Sequence, residues 1–424
     1  MSLTIKNNTT NESYEKEGGF DFNMPDFSIP SVFKKKKTIT ILEYAENCMK
    51  TFEELPFGVV DSLMLSQLCY LHMEKLIPGV EYNDREPIRV ADLYKAEYFD
   101  EIMENVRDPK SNRRLLNALC ASPRYRDIKV NYYINIVDDK LEKQFAAMTF
   151  ILPDGAVYVA FRGTDATVVG WKEDFNMFFD PVVPSHISSV HYLEVVAQRT
   201  KGKMYIGGHS KGGNLALYGA TFAGKEIQDR IITVFDHDGP ALSPEIKKDI
   251  NYIDLGEKIQ TTVPEASIFG LMFSSGDYKV VQSNRLGIMQ HDPFSWEISG
   301  DDFVYAEEVK HASSYLVDMA QEMMNTLNDD DKEAVVDTLF DIIKSSGTTT
   351  FVNGPAQMIK EFDQVIHAMK NIDEKSEESI KVMVTEFFKL IAKQVLKGSS
   401  DDNEKWERVN QILEEEGHNH KMGI

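Results

Sequence analysis

The stretch Gly208-His209-Ser210-Lys211-Gly212 stands where the pattern of the chain changes. The apolar run Met204-Tyr205-Ile206 before it is typical of a buried strand, and residues 214–218 after it are typical of a helix. Glycines on both sides of Ser210 permit a sharp turn where larger side chains would collide with the strand and the helix. The stretch therefore predicts a strand, a tight turn that exposes the Ser210 hydroxyl, and a helix that begins with the backbone N–H of Lys211.

A partner for that turn lies upstream. The run Val157 to Phe161 is typical of a buried strand and ends in Arg162-Gly163-Thr164-Asp165. A serine that attacks a carbonyl needs donors for the oxyanion, one after the nucleophile and one from a loop that follows an early strand. Thr164 offers both a backbone N–H and a hydroxyl, so Thr164 and Lys211 are the expected oxyanion hole. An ordinary turn at this position is the alternative.

The general base is expected further along the chain. A strand is predicted at residues 278–282, and the polar loop after it reaches His291, between Gly287 and Pro293. A histidine on such a loop can approach the serine, so we predict that His291 is the base. His311 is the competitor, but residues 307–319 have the pattern of a helix, where a solvated histidine is ordinary.

The acid that would orient this histidine has several candidates. Chain order places it after a strand that follows the serine and before the histidine. The strand predicted at residues 258–263 ends at Pro264-Glu265, which makes Glu265 the preferred acid. Asp236 and Asp238 follow the earlier strand at residues 231–235, and Asp277 precedes the strand that leads to His291. Any of these carboxylates would serve chemically, so all three stay open as alternatives.

These motifs resemble those of the lipase-like α/β-hydrolases related to class 3 lipases. They resemble still more a bacterial domain-of-unknown-function family with a Gly-His-Ser-Lys-Gly-Gly-Asn nucleophile elbow. The likeness covers roughly residues 40–300, and its motifs are Glu54–Phe57, Asp61–Leu63, Phe161–Asp165, Gly170–Phe175, Gly208–Ala216, and Gln290–Asp292 with Trp296. The resemblance implies an α/β-hydrolase fold, Ser210 as nucleophile, His291 as base, and Thr164 with Lys211 as oxyanion donors.

The sequence departs from the class 3 lipases at two positions. Those enzymes carry an Asp three residues before the Pro that follows the acid strand, and Thr261 stands there in this chain. They also usually carry an apolar residue directly after the nucleophile, where this chain has Lys211. The Lys211 ammonium has three alternatives: it pairs with a local carboxylate, it attracts an anionic substrate, or it points outward into solvent.

Composition limits the class of protein. The chain has 424 residues, 42% of them hydrophobic, which is enough for one sizeable domain and an appendage. Its net charge of −22 argues against nucleic acid and anionic membrane surfaces as partners. Three widely spaced cysteines form neither a disulfide framework nor a metal site, and no cofactor fingerprint occurs. The N-terminus lacks the apolar core of a signal peptide, and no run is long enough to span a membrane. A cytoplasmic protein is the simplest expectation.

The chain divides into three regions. Residues 1–38 are polar and predict a loose tail, and residues 39–304 predict the hydrolase domain, a mostly parallel sheet covered by helices. Helical periodicity dominates from about residue 40 to 130, where Asp61 is the expected helix cap. Residues 305–424 predict a helical appendage whose apolar stripes are Val335, Leu339, Ile342 and Ile343, then Val384, Phe387, Phe388 and Ile391. The appendage covers the site, forms a homodimer or binds a partner, and His418 and His420 near its end belong to a tail rather than a metal site.

Two functions from different classes follow from this sequence. The first is a serine hydrolase that cleaves a small ester or lipid-like substrate through an acyl-enzyme on Ser210, without a metal or cofactor. The second is a catalytically silent hydrolase fold that acts as a binding or regulatory module through its C-terminal helices. Thr261 at the usual acid position is the feature that keeps the second function open.

Overall fold

The computed structural model describes residues 38–325 except 83, 178 and 179, together with residues 336, 337, 340 and 350. Its strands are β1 (Ile88–Arg89), β2 (Lys129–Asp138), β3 (Lys143–Ile151), β4 (Val157–Phe161), β5 (Met204–His209), β6 (Ile231–His237), β7 (Ile259–Pro264), β8 (Lys279–Val281), β9 (Ile298–Ser299), β10 (Asp302–Phe303) and β11 (Tyr305–Ala306). Its helices are α1 (Ile41–Asn47), α2 (Val59–Leu68), α3 (Phe99–Ile102), α4 (Pro109–Ala121), α5 (Val168–Asn176), α6 (Pro184–Arg199), α7 (Lys211–Phe222), α8 (Lys225–Gln228), α9 (Ile250–Leu255) and α10 (His311–Asn325). The expected N-terminal tail, the two C-terminal stripes, and His418 and His420 lie outside the described residues.

One nine-stranded sheet organises the described chain, in the order β1-β2-β3-β4-β5-β6-β7-β8-β11. The five strands from β4 to β8 run parallel, whereas β1, β2, β3 and β11 pair antiparallel at the two sides. This is the α/β-hydrolase type of fold that the sequence predicts. The expectation of a mostly parallel sheet holds for its centre, and the flanks make the sheet mixed.

Both faces of the sheet are buried beneath helices. All five residues of β4 are buried, which explains its unbroken apolar run. Tyr158 and Ala160 of β4 face the cluster built with α1, α2 and α4, and its alternate residues Val157, Val159 and Phe161 face the cluster built with α6 and α7. Each such apolar side chain contributes roughly 1.5–3 kcal/mol when buried. The central parallel strands are therefore packed on both faces. The loops that follow their carboxyl ends carry Thr164, Ser210 and Asp238.

The ten residues of β2 are the main element absent from the sequence-based prediction. Buried and half-buried residues do not alternate regularly along β2, and a bulge between Asn131 and Ile134 interrupts its pairing with β3. Tyr132 at this bulge adopts φ of 59°, which is rare for a residue with a side chain. The mixed polarity and the irregularity hide the period of two that marks an ordinary strand.

Asp61 lies at the beginning of α2, but it is not the cap residue itself. The helix begins after Gly58, and the Asp61 carboxylate, three positions further on, accepts the Gly58 N–H at 2.9 Å. The same buried carboxylate pairs with Arg124 at 2.7 Å and accepts the Tyr125 hydroxyl at 2.6 Å. Arg124 also donates to the backbone carbonyls of Lys50, Thr51, Leu55 and Pro56. Asp61 therefore ties the N-terminal loop to the helical layer.

The predicted boundary at residue 304 falls inside the folded unit. β11, at Tyr305–Ala306, pairs with β8 as the last strand of the sheet. The helix α10 begins at His311, and its Val317 is buried with Val263 and Val280 of the sheet. Residues 305–317 thus extend the domain rather than begin a separate one. No helix in the described part of the chain is both long enough and apolar enough to cross a membrane.

Candidate active site

The predicted strand, turn and helix are present around Ser210. β5 ends at His209 and α7 begins at Lys211, so Ser210 alone makes the turn. Its backbone has φ of 59° and ψ of −133°, a strained conformation that side-chain-bearing residues rarely adopt. The Ser210 N–H donates to the carbonyl of His237 on the neighbouring strand at 2.9 Å, which holds the turn in place.

The two glycines of this turn are required by close packing. A Cβ on Gly208 would overlap the backbone of Gly212, and a Cβ on Gly212 would overlap the carbonyl group of Phe161 on β4. The start of α7 therefore approaches both β5 and β4 more closely than any side chain permits. This approach brings the N-terminus of the helix, with its unpaired N–H groups, to the position of Ser210.

His291 lies at the end of a 3-10 turn, Gly287–His291. Its Nδ1 is 2.6 Å from Oδ2 of Asp238, which is fully buried just after β6. The other oxygen of Asp238 accepts the Gly270 N–H at 3.2 Å and the Ser267 hydroxyl. An ionised carboxylate only accepts, so the contact with Asp238 assigns the imidazole proton to Nδ1. The lone pair of Nε2 is then free to accept a proton from another group.

Burial sets the charge state of this pair. Burial, and to a smaller extent the positive charge of Arg107, lowers the pKa of His291 to about 3. The imidazole is therefore neutral near pH 7, the form that accepts a proton. Burial also raises the pKa of Asp238 above its ordinary value, and the hydrogen bonds from Ser267 and Gly270 oppose that shift.

The loop that carries His291 is fixed by its neighbours in sequence. Gln290 is buried, accepts the Ala266 N–H at 2.7 Å and donates to the Arg285 carbonyl at 2.9 Å. The indole of Trp296, also buried, donates to the Gln290 carbonyl at 2.8 Å. The residues on either side of His291 that carry the family resemblance thus have a structural role, which is to hold the imidazole in one orientation.

The carboxylate at His291 belongs to Asp238, so the sequence-based preference for Glu265 is corrected. Glu265 is half-buried, and its contacts are those of its backbone, with Val281 and Lys310. Within the described residues its carboxylate forms no hydrogen bond or ion pair.

The other two candidate acids lie elsewhere. Asp236 is buried and accepts from the Gly239 N–H at 3.0 Å and the Thr261 hydroxyl at 3.4 Å. Asp277 is exposed. Asp238 reaches His291 because its backbone turns out of β6 with φ of 56°, a conformation that the period of the strand does not reveal. The Asp-Gly-Pro sequence directly after β6 was the available signal of this turn.

Thr164 lies in the loop after β4 and lines the same cavity as Ser210. Its hydroxyl donates to Asp174, so the hydroxyl is engaged within the protein and the backbone N–H is the donor left for a substrate. Burial raises the pKa of Asp174 to about 6, although the Lys211 ammonium and the Thr164 hydroxyl oppose that shift. Asp174 Oδ1 has no hydrogen-bond partner among the described residues.

The Lys211 side chain points inward, and the local carboxylate is its partner. The ammonium is buried 3.0 Å from Glu173 and donates to the Gln144 carbonyl and side-chain oxygens at 2.9 and 2.8 Å. The expectations of a solvated lysine and of one that attracts an anionic substrate are therefore wrong for the ammonium. The side chain secures the first turn of α7 against β3 and α5.

His209, the residue before Ser210, forms hydrogen bonds at the site that the sequence did not predict. Its Nε2 lies 2.8 Å from the backbone carbonyl of His291, and its Nδ1 lies 3.1 Å from the Tyr70 hydroxyl. A carbonyl only accepts, so Nε2 carries the proton and Nδ1 accepts from Tyr70. The rings of His209 and His291 also pack with centroids 4.6 Å apart. His209 thereby links the turn at Ser210 to the loop of His291.

A cavity of about 420 Å³ brings the candidate residues together. Ser210, His291, Thr164 and Lys211 all line it, and Glu265, Asp277 and His311 do not. Much of the remaining wall is apolar, formed by Val106, Ala166, Trp171, Phe175, Met177, Pro240, Ile268, Phe269, Met272, Ile288, Met289, Pro293 and Phe294. Its other members are Gln67, Tyr70, His72, Asn105, Arg107, Asp108, Asp165, Asp174, His209, Arg285 and Asp292. In the described part of the chain, no three His, Cys, Asp or Glu side chains are grouped to hold a metal ion.

Three solved lipase structures are similar at low identity. The Rhizomucor miehei lipase propeptide complex is 16% identical, with 47% of this chain and 66% of that chain covered and a TM-score of 0.31. The M37 lipase is 14% identical over 49% and 68%, with a TM-score of 0.32. A fungal lipase–inhibitor complex is 17% identical over 48% and 78%, with a TM-score of 0.30.

The aligned part spans about two thirds of the first two lipases. None of the curated proteins matches the chain. The Mbeg1-like family profile matches residues 119–341, which is just over half of the 424 residues and includes Ser210, Asp238 and His291. The resemblance to lipase-like hydrolases is confirmed at the level of the fold, and this chain belongs to the Mbeg1-like family.

Proposed function

We propose that this protein is a serine hydrolase that cleaves a carboxylic ester through an acyl-enzyme on Ser210. The observation that carries the proposal is the 2.6 Å contact between His291 and Asp238 at a cavity that Ser210 also lines. A lipase-like fold supports a hydrolase of the lipase or esterase type in general. The ester and the serine chemistry rest on the geometry of this site.

The proposed first half of the reaction uses four groups. His291 Nε2 accepts the proton of the Ser210 hydroxyl as Oγ attacks the ester carbonyl, and Asp238 stabilises the imidazolium that forms. The backbone N–H groups of Lys211 and Thr164 hold the oxyanion. The tetrahedral intermediate then collapses, His291 returns its proton to the departing alkoxide, and the acyl group stays on Ser210.

In the second half, water replaces the alcohol. His291 takes a proton from the water as its oxygen attacks the acyl-enzyme, and the same proton then goes to Ser210 as the acid leaves. The neutral His291 required at the start of each half follows from its buried position. The apolar wall of the cavity suits an acyl chain. A cytoplasmic location and a homodimer formed through the C-terminal helices remain predictions of the sequence.

The first experiment is labelling with a fluorophosphonate probe, which reacts with an activated serine. The native protein should label, and Ser210→Ala and His291→Ala should not. With a soluble ester, Ser210→Ala should lower kcat by about 10⁶. A folded native protein that neither labels nor turns over any ester would contradict the proposal and favour the silent binding module.

The second experiment separates the two candidate acids. Asp238→Asn should lower kcat by about 10²–10⁴, since the amide no longer stabilises the imidazolium. Glu265→Gln is the matched control, with the same loss of one carboxylate, and should retain kcat within about twofold because Glu265 lies away from the cavity wall. The reverse order of effects would return the acid role to Glu265.

A further inference from the structure

The charged groups around the cavity are almost all engaged within the protein. Asp165 pairs with Arg162 at 3.0 Å, and Asp292 pairs with Arg285. Asp108 caps α4 by accepting the Ser111 N–H at 3.1 Å. A group that is already paired contributes little net charge to a ligand that enters beside it.

The two remaining charged groups of the site, apart from one arginine, are also paired. The Lys211 ammonium is buried against the Glu173 carboxylate. Burial raises the pKa of Asp174 to about 6, so the Asp174 carboxyl is partly protonated at pH 6. Before the last cation is counted, three cations therefore face five carboxyl groups, because Asp108 accepts only a backbone N–H and Asp174 shares Lys211 with Glu173.

Arg107 is that last cation. It lies in the loop between α3 and α4, its side chain is exposed, and it lines the cavity. Among the described residues its guanidinium forms no hydrogen bond and no ion pair, whereas its backbone carbonyl accepts from the side-chain amide of Asn112 at 2.9 Å. Its positive charge reaches the centre of the site, since it contributes to lowering the pKa of both His209 and His291. The chain has a net charge of −22, so its overall electrostatic potential is negative. The unpaired guanidinium at the edge of the cavity is a local positive group in that potential.

We propose that Arg107 selects esters that carry a negatively charged group, a phosphate or a carboxylate, close to the scissile bond. This inference rests on the proposed function and names its substrate class. A guanidinium binds either anion with two parallel N–H bonds, a geometry that Lys cannot match.

The rest of the cavity fits the other end of such a molecule. Ile268, Phe269 and Met272 form one apolar segment of the wall, and Ile288 with Met289 forms another. Phe269 packs on the His291 ring, with centroids 4.6 Å apart, so the apolar wall begins next to the base. A substrate with an acyl chain and an anionic end would use both parts of the cavity. A neutral ester would leave Arg107 without a ligand.

The test compares matched esters that differ only in the charged group. Monohexanoylglycerol and its phosphate put the anion on the alcohol side, and p-nitrophenyl hexanoate with the p-nitrophenyl monoester of adipic acid puts it on the acyl side. Native protein should prefer the anionic member of at least one pair in kcat/KM by about tenfold or more. Arg107→Gln should reduce that preference about tenfold; the preference is the ratio of kcat/KM for the two members of a pair, so a general change in rate cancels. Arg107→Lys should retain part of the preference.

Arg126→Gln is the control, because it removes the same charge from an exposed arginine that does not line the cavity. Equal rates for both members of both pairs, or a preference that survives Arg107→Gln, would overturn the inference while fluorophosphonate labelling of Ser210 left the proposed function intact. If the native protein fails to label, binding decides. Monohexanoylglycerol phosphate should bind the Ser210→Ala protein about tenfold more tightly than it binds the Ser210→Ala/Arg107→Gln protein. Equal affinity for the two proteins would overturn the inference.

Discussion

Two buried ion pairs, of similar geometry, differ in what surrounds them. Arg124 and Asp61 lie 2.7 Å apart, and Lys211 and Glu173 lie 3.0 Å apart, all with side chains almost fully buried. The Asp61 pair joins the N-terminal loop to the helical layer, and every polar atom of its two side chains is hydrogen-bonded or ion-paired. The Glu173 pair holds Lys211, the residue directly after the turn at Ser210.

The neighbours of the Glu173 pair are less completely satisfied. The Gln144 amide nitrogen is buried without a hydrogen-bond partner among the described residues. Asp174 is hydrogen-bonded to Thr164 at the cavity, but its Oδ1 accepts no hydrogen bond there and is paired with Lys211 only at 3.9 Å. A complete network stabilises a single conformation, whereas unsatisfied buried groups are costly and collect at functional sites. The difference indicates that the Asp61 pair serves the fold alone and the Glu173 pair serves both the fold and the site.

The largest effect is expected from Lys211→Met, which leaves the Glu173 carboxylate buried without a counter-ion. The free energy of unfolding should fall by about 3–5 kcal/mol. Because Lys211 anchors the first turn of α7, kcat/KM of the folded fraction should fall as well. Urea unfolding and ester hydrolysis on the same preparation check both expectations. Unchanged kcat/KM would mean that the ion pair serves the fold only, like its counterpart at Asp61.

A smaller effect on stability is expected from Asp61→Asn. The amide keeps the shape of the side chain, and Arg124 keeps its four backbone carbonyl partners, so the loss should be about 2–3 kcal/mol. Rates per folded molecule should equal those of the native protein. Active-site titration with a fluorophosphonate probe would correct for unfolded protein. A reduced rate per titrated site would show that the N-terminal layer also shapes the site.

The smallest effect, opposite in sign, is expected from Asp174→Asn. Burial raises the pKa of Asp174 to about 6 in the folded state, above its value of 3.8 in an unconstrained chain. Ionisation of this carboxyl therefore costs stability, a cost that is absent below pH 3.8, grows between pH 3.8 and 6, and is complete above. Asp174→Asn should stabilise the protein by about 2 kcal/mol at pH 8 and by less at pH 5. Urea unfolding at the two pH values measures the difference, and equal effects would mean that Asp174 titrates normally.

The sequence predicted local features of the site and missed those that depend on distant contacts. The turn at Ser210 was predictable because the two glycines lie within two residues of the serine and have a direct steric cause. The carboxylate that contacts His291 differs from the expected one because Glu265 follows the expected strand, whereas Asp238 reaches His291 through a single residue with positive φ. No periodicity of apolar residues reveals such a turn.

The direction of the Lys211 side chain was also beyond the sequence. Its partners, Gln144 and Glu173, belong to β3 and α5, and their distance from Lys211 depends on how the sheet and the helix pack. The strand β2 was also beyond the sequence, because its bulge removes the regular alternation of apolar and polar residues that marks a strand. The strand–turn–helix at Ser210 and the loop of His291 were within reach because each has a pattern confined to a few neighbouring residues.

The hydrogen bond from the His209 ring to the His291 backbone has a consequence for protein engineering. A designer who transplants the Gly208–Gly212 turn into another scaffold, or replaces the 287–291 loop to alter selectivity, separates two segments that this ring joins. The transplant therefore has to carry Tyr70 as well, since its hydroxyl fixes the tautomer that lets His209 donate. With Asp238 and Thr164 included, the smallest portable unit of this site is five separate segments of chain rather than one pentapeptide.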